Sequence, residues 1–277
     1  MVQNFIKQIL GVGTKTSNNG VLAECGKHPI CMKIYIQIIR YWIRLRTSNS
    51  IYMQEAYKLE QQKMREGKDS WLKMVEFLMK YTNYEMKDLQ IEDKDSLINI
   101  FKVDFENKIK EMYKKVWNEN IRKSFSESKM EFLCEYKRNF KFESYIDNLN
   151  FENRKTVSKF RLSNHNLPIE ELRYDNIERN KRLCSICDLK VIGDENHYIL
   201  WCSNKAIKYK RDEFIANAIK IAPELQQLND MNIIKYCMHL GDLKLHYVTA
   251  RYINDILNTY KTEKEKIIST EYSELFM

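Results

Sequence analysis

Residues 183–202 read LCSICDLKVIGDENHYILWC. Cys184, Cys187, His197 and Cys202 form a C-x2-C-x9-H-x4-C array within them. Two thiols three positions apart let one tight turn offer both sulfurs to a single tetrahedral ion, and the later His and Cys close the cage from a second short element. Three sulfurs and one imidazole suit Zn²⁺ and fill all four positions, so the pattern predicts one structural Zn²⁺ with no open position for an activated water. Three of the seven Cys and one of the five His fall within these nineteen residues. Two other readings stay open. A C-x-x-C can be a redox pair, although no βαβ pattern surrounds Cys184, and buried thiols can be ordinary small apolar residues of a helical core.

Outward from this stretch the chain is basic. From Arg154 to Arg211 there are thirteen Lys/Arg against seven Asp/Glu, a net of +6 within a whole-chain charge of +8. A concentrated positive field attracts polyanions, nucleic acid first and acidic membrane second, while a solvated face without a partner is the plain alternative. Around the array, Arg179, Lys181, Arg182, Lys190, Lys205, Lys208 and Arg211 are the candidate phosphate contacts, and Tyr198 or Trp201 is a candidate to stack on an unpaired base, with packing behind the metal as the alternative for Trp201. His165 lies nineteen residues before Cys184 with no ligand companion, so it is expected to hydrogen-bond its neighbours and pack.

The rest of the 277 residues predicts a mainly α protein: a helical bundle, then a small zinc-knuckle-like module with a short β-hairpin and flanking helices. Only seven Gly and three Pro interrupt a Lys-, Glu-, Ile- and Leu-rich composition. Apolar spacing predicts helices over 2–10, near 21–25, over 29–47, from Ser50 to Gly67, and from Asp69 or Ser70 onward with Trp71, Leu72, Val75, Leu78 and Met79 buried. The first of these has no residue ahead of it to cap it, as if the chain began inside an element. In 29–47 the expected apolar face is Ile30, Ile34, Ile38, Trp42 and Leu45, and Lys33, Arg40 and Arg44 form a basic stripe able to follow a phosphate backbone. A long helix follows from Asp95, helix continues over 126–148, and further helices span 204–221 and start near Asp242. The charged tail after Lys261 is expected to fray. The polar LNFENRK stretch predicts a boundary near residue 150, giving a helical region 1–150 and a metal-binding region 151–277.

No run of about eighteen apolar residues predicts a membrane span, and MVQNFIKQILGV is too polar for a secretory signal. An odd cysteine count without a disulfide framework favours a reducing compartment, nucleus or cytoplasm.

The run KFRLSNHNLPIEELRY, then RLCSIC, GDENHYILWC and Arg211, resembles the C-terminal zinc-binding region of LINE-like (non-LTR) retrotransposon reverse transcriptases. FIKQILGVGTKTSNNGVLAECGKHPICMKIYIQIIRYWIRL is similar to the thumb segment that follows the polymerase palm in that family. The resemblance covers about residues 4–80 and 150–215. It implies metal ligation by Cys184, Cys187, His197 and Cys202. It also implies a recurring run through Arg161, His165, Leu167, Glu170, Arg173 and Tyr174, from which Arg161 and Arg173 join the candidate nucleic-acid contacts. Asp194 and Glu195 match an acidic pair expected to cap rather than catalyse. The family's aromatic-x-Asp-Asp palm turn is missing, as is any endonuclease constellation, so no enzyme activity is expected: phosphoryl transfer needs carboxylates to hold its metal ions. The expected partners are RNA or DNA, with single-stranded or structured RNA foremost, and other proteins of such an element, with no membrane. The rival expectation is a helical scaffold in which zinc is only a staple, or a relic with no selected role.

Overall fold

A computed structural model of the chain describes residues 2–83, 94–123 and 130–275. It is mostly helical, and among the described residues no strand forms. Two isolated antiparallel bridges occur instead, Cys25 with Phe142 and Leu183 with Ile192. The hairpin expected beside the array is thus reduced to one bridge.

The chain divides into two compact units, Met1–Lys27 with Glu119–Met277, and His28–Asn118. The boundary expected near 150 therefore falls inside the first unit. What draws the N-terminus into that unit is charge as well as packing. Helix α1 (Val2–Leu10) lies against α2 (Asn18–Glu24) and, further along the chain, α9 (Phe151–Arg161). Glu24, at the end of α2, is fully buried and forms a two-pronged pair with Arg161, with both contacts at 3.0 Å. Tyr145 donates to the same carboxylate at 2.6 Å, and buried Lys137 bridges towards it at 3.9 Å while pairing with Glu143. Arg161 also donates to the Met238 carbonyl at 3.0 Å. A buried carboxylate this far from its cationic partners in sequence is tolerable only when they reach it together.

The second unit contains α3 (Ile30–Thr47), α4 (Ile51–Arg65), α5 (Leu72–Tyr81) and most of α6 (Lys94–Lys123). Its core is Met32, Ile36, Ile39, Trp42 and Ile43 of α3 with Leu72, Val75, Leu78 and Met79 of α5 and Phe105 and Ile109 of α6. The α5 expectation holds except that Trp71 is only half-buried. The α3 face holds at Trp42 and Leu45 but not at its start: Ile30 and Ile34 are exposed, and the buried stripe there runs through 32, 36 and 39. Ten of the eighteen α3 residues are apolar, so two faces compete and periodicity alone does not choose between them. Ser70 caps α5, accepting the Leu72 N–H at 3.2 Å.

In the first unit, α7 (Glu131–Tyr136) and α8 (Tyr145–Asn148) replace the continuous helix expected over 126–148; residues 126–129 lie outside the described residues. The break between them lets Phe142 bridge Cys25 and Glu143 donate to the Glu24 carbonyl at 2.9 Å. Then come α9, α10 (Pro168–Tyr174), α11 (Lys205–Ile221), α12 (Asp230–Met238) and α13 (His246–Leu275). Helix α13 packs along α9 and α11, burying Tyr252, Ile253 and Ile256, with Tyr252 stacked on Phe214 at 4.2 Å. It also stays helical to Leu275, beyond where fraying was expected. Its charges fall at helical spacing, as in Lys266–Glu263 at 2.6 Å, so they support the helix they were read as ending.

Gly26 sits at φ +56°, and a Cβ there would lie 2.4 Å from the Phe142 nitrogen. That obstacle is backbone held in a bridge, so it has little room to yield. Gly26→Ala is expected to cost at least about 1–2 kcal/mol from the left-handed conformation alone, lowering the thermal midpoint by roughly 2–4 °C per kcal/mol. An unchanged melt would show that the Cys25–Phe142 bridge does not hold this turn.

Candidate metal centre

The array is built from a loop and a widened turn. The Leu183–Ile192 bridge, with Cys184 N–H donating to the Val191 carbonyl and Gly193 N–H to the Arg182 carbonyl (both 2.9 Å), ties off the loop carrying Cys184 and Cys187. The other two donors flank a π-helical turn, His197–Trp201, closed by Cys202 N–H donating to the His197 carbonyl at 2.8 Å. In an α-helix residues five apart point roughly 140° away from each other. The extra residue in each π turn brings His197 and Cys202 back to the same side. Asp194 starts the turn by accepting the His197 N–H at 2.8 Å, the capping role expected of it.

One ligand atom from each of Cys184, Cys187, His197 and Cys202 lies within 4.8 Å of all the others, and His197 Nε2 is 3.4 Å from Cys187 Sγ. A tetrahedral Zn²⁺ with bonds of about 2.0–2.3 Å needs ligand atoms roughly 3.5–3.8 Å apart, so the four need only a small contraction. Cys184, His197 and Cys202 are buried and Cys187 is half-buried. The hydrogen bond from Cys202 pulls the Cys184 thiol below the ordinary thiol range, and the same contact drives Cys202 up. Away from the cluster burial dominates, pushing Cys25 and Cys134 up to about 11 and Cys237 to about 12. Sulfur donors converging on one point suit a metal, whereas isolated buried thiols are inert. The four residues can hold a metal ion.

The surrounding side chains fix this geometry. Arg211 donates to the carbonyls of Cys202 (3.0 Å), Ile199 (3.2 Å) and Tyr198 (3.4 Å), and Tyr252 of α13 donates to the Ile199 carbonyl at 2.6 Å. They satisfy carbonyls around the π turn that would otherwise be buried and unpaired. Asn204 accepts from the Ala206 and Ile207 N–H groups to start α11, and its amide donates to the Ile186 carbonyl at 3.1 Å, joining the C-x-x-C loop to α11. No family model, curated protein or solved structure matches this chain.

The cations predicted around the array divide into two groups. Arg161 is 1% exposed against Glu24 and cannot reach a phosphate, which corrects its assignment. Arg211 serves the π turn. Arg182 donates to the Ile177 (2.8 Å) and Ile169 (3.1 Å) carbonyls, Arg179 pairs with Glu131, and Arg173 pairs with Glu170 at 3.0 Å. Guanidinium forks suit such carbonyl and carboxylate anchoring, and a charge count does not distinguish an anchor from a free cation. Lys181 is exposed but bridges Glu178 at 3.1 Å, and Arg40 in the other unit reaches Glu106 at 3.4 Å. Lys190, Lys205 and Lys208, and Lys33 and Arg44 in the other unit, are exposed with no carboxylate partner among the described residues. Trp201 is 44% exposed.

His165 and Glu195 behave as structural groups. Glu195 accepts from Ser163 at 2.7 Å and meets His165 Nε2 at 2.8 Å, and these side chains are almost fully enclosed. A neighbouring cleft is lined by Glu131, Glu170, Asp194 and Glu195 with Arg173 and Arg179, and each of these carboxylates already holds one of the partners described above. Among the described residues no helix is long and apolar enough to cross a membrane.

Proposed function

We propose that the chain is a nucleic-acid-binding module stapled by one structural Zn²⁺ in a knuckle-like Cys184–Cys187–His197–Cys202 site, with no catalytic role. The observation that carries this reading is the solvent side of the metal turn. Trp201 projects from between two ligands, and Lys205 and Lys208 begin the next helix without carboxylate partners among the described residues. An exposed indole four and seven residues ahead of two exposed lysines suits an unpaired base on its phosphate backbone. RNA in single-stranded or structured form is the first ligand to test. The resemblance to LINE-like reverse transcriptases points to the same class.

Zinc content tests the staple: chain purified without added metal should carry one equivalent, lost in Cys184→Ser. Fluorescence anisotropy with single-stranded RNA and DNA tests the ligand. Trp201→Ala is expected to weaken binding by about 1–3 kcal/mol if one base stacks there. Lys205→Ala with Lys208→Ala should flatten the plot of log K against log salt by about 1.4, two phosphates at roughly 0.7 each for single strands. Absence of binding even at about 50 mM salt would rule the reading out. A second reading, a helical scaffold, is favoured by Ile51, Tyr52 and Leu59, which leave an apolar strip exposed on α4. That reading gains if binding fails while the zinc equivalent is present.

A further inference from the structure

Two buried polar atoms without a hydrogen-bond partner lie in the π turn of the proposed metal site, His197 Nδ1 and Tyr198 Oη. Tyr198 is fully buried, with its ring edge-on to His197 at 5.1 Å and to Tyr260 at 5.1 Å, so it cannot swing its hydroxyl out to solvent. That hydroxyl completes no hydrogen bond, and Cys184 is the side chain that acts on it most strongly. A buried hydroxyl left unmatched is costly, and phenylalanine would fill the same space without that cost. A neutral thiol is a weak acceptor, whereas a metal-bound thiolate is a strong one.

We propose that Tyr198 is a positioning residue for the metal site, its hydroxyl donating to the Cys184 thiolate once the ion is bound. The inference rests on the metal reading and extends it from the four ligands to what sets their affinity. Three thiolates and one neutral imidazole leave the site with one excess negative charge in a buried setting. A hydrogen bond to one sulfur withdraws part of that charge, strengthening retention of the ion and making the thiolate a poorer nucleophile towards alkylating or oxidising reagents.

The test is Tyr198→Phe on the full chain, read with Co²⁺ and Zn²⁺. Wild type should bind both, and in the variant competition against a chromophoric chelator should show roughly 10–100-fold weaker metal binding. The sulfur-to-cobalt charge-transfer band should move to lower energy, and iodoacetamide should modify the zinc form faster. Equal affinity and an unmoved band would overturn the inference while leaving the site intact. If wild type binds neither metal, the metal reading itself falls. If the variant does not fold, the wild-type cobalt form decides. A hyperfine-shifted, slowly exchanging phenolic proton supports the proposal, and its absence from the shifted region counts against it.

Discussion

Stripping the metal with a chelator is expected to collapse the cooperative unfolding of the unit that contains α9 to α13. A structural Zn²⁺ of this donor type supplies about 10–16 kcal/mol of apparent folding free energy. That matches or exceeds the roughly 5–15 kcal/mol by which whole domains are stable. The consequences should spread beyond the ligands. Arg211 and Tyr252 grip carbonyls of the π turn, so losing that turn removes partners from α11 and α13. Asn204 carries the same disturbance from the C-x-x-C loop to the first turn of α11. Circular dichroism should show loss of helix on chelation and recovery on adding Zn²⁺. A melt identical with and without chelator would mean that no ion supports this fold.

Breaking the Glu24–Arg161 pair is the second large effect. Glu24→Gln leaves Arg161 and Lys137 buried with less compensation, and removing one partner of such a pair typically costs about 3–5 kcal/mol. Urea unfolding at neutral pH should show a loss of this size. The double change Glu24→Gln with Arg161→Met should cost clearly less than the two single changes summed, because the surviving charge is no longer stranded. Strict additivity would mean that the two side chains do not act as a pair. The same carboxylate sets a pH dependence. Burial raises its pKa, but the Arg161 and Lys137 charges and the hydrogen bonds from Arg161 and Tyr145 outweigh this and hold it below the ordinary range. Its contribution is therefore complete above the unfolded-state value, about 4.3, and is lost as pH falls through the lower folded value. Between neutral pH and about 5 stability should not change on this account, and below that wild type should lose stability more steeply than Glu24→Gln.

The metal quartet was legible because its information is local: donor types and spacings lie within nineteen residues. So were many helices, since Asn204 and Ser70 stand at starts where a side-chain oxygen accepts within a turn. The π turn was not legible, because nothing in HYILW distinguishes an i→i+5 ring from an α turn until Arg211 and Tyr252 occupy its carbonyls. The cationic surface was overread for a related reason. Arg161, Arg182 and Arg211 carry the same charge as Lys205 and Lys208, and only the fold reveals which of them face inward. The α3 face was misplaced only over its first turns, where apolar residues on two stripes offered equivalent patterns. The Glu24 cluster lay beyond a sequence reading altogether, since its members are brought together across 137 positions.

That separation has a consequence for synthesis. At about 5–20 residues per second, Glu24 leaves the ribosome roughly 7–27 seconds before Arg161 does. In that interval Val21, Leu22 and Ala23, all buried in the finished fold, wait for the later parts of the unit. The nascent N-terminal helices are then a natural substrate for a chaperone that holds short apolar segments. An expression fragment beginning after Lys27 would lack the counter-ion for Arg161, so it should accumulate in inclusion bodies.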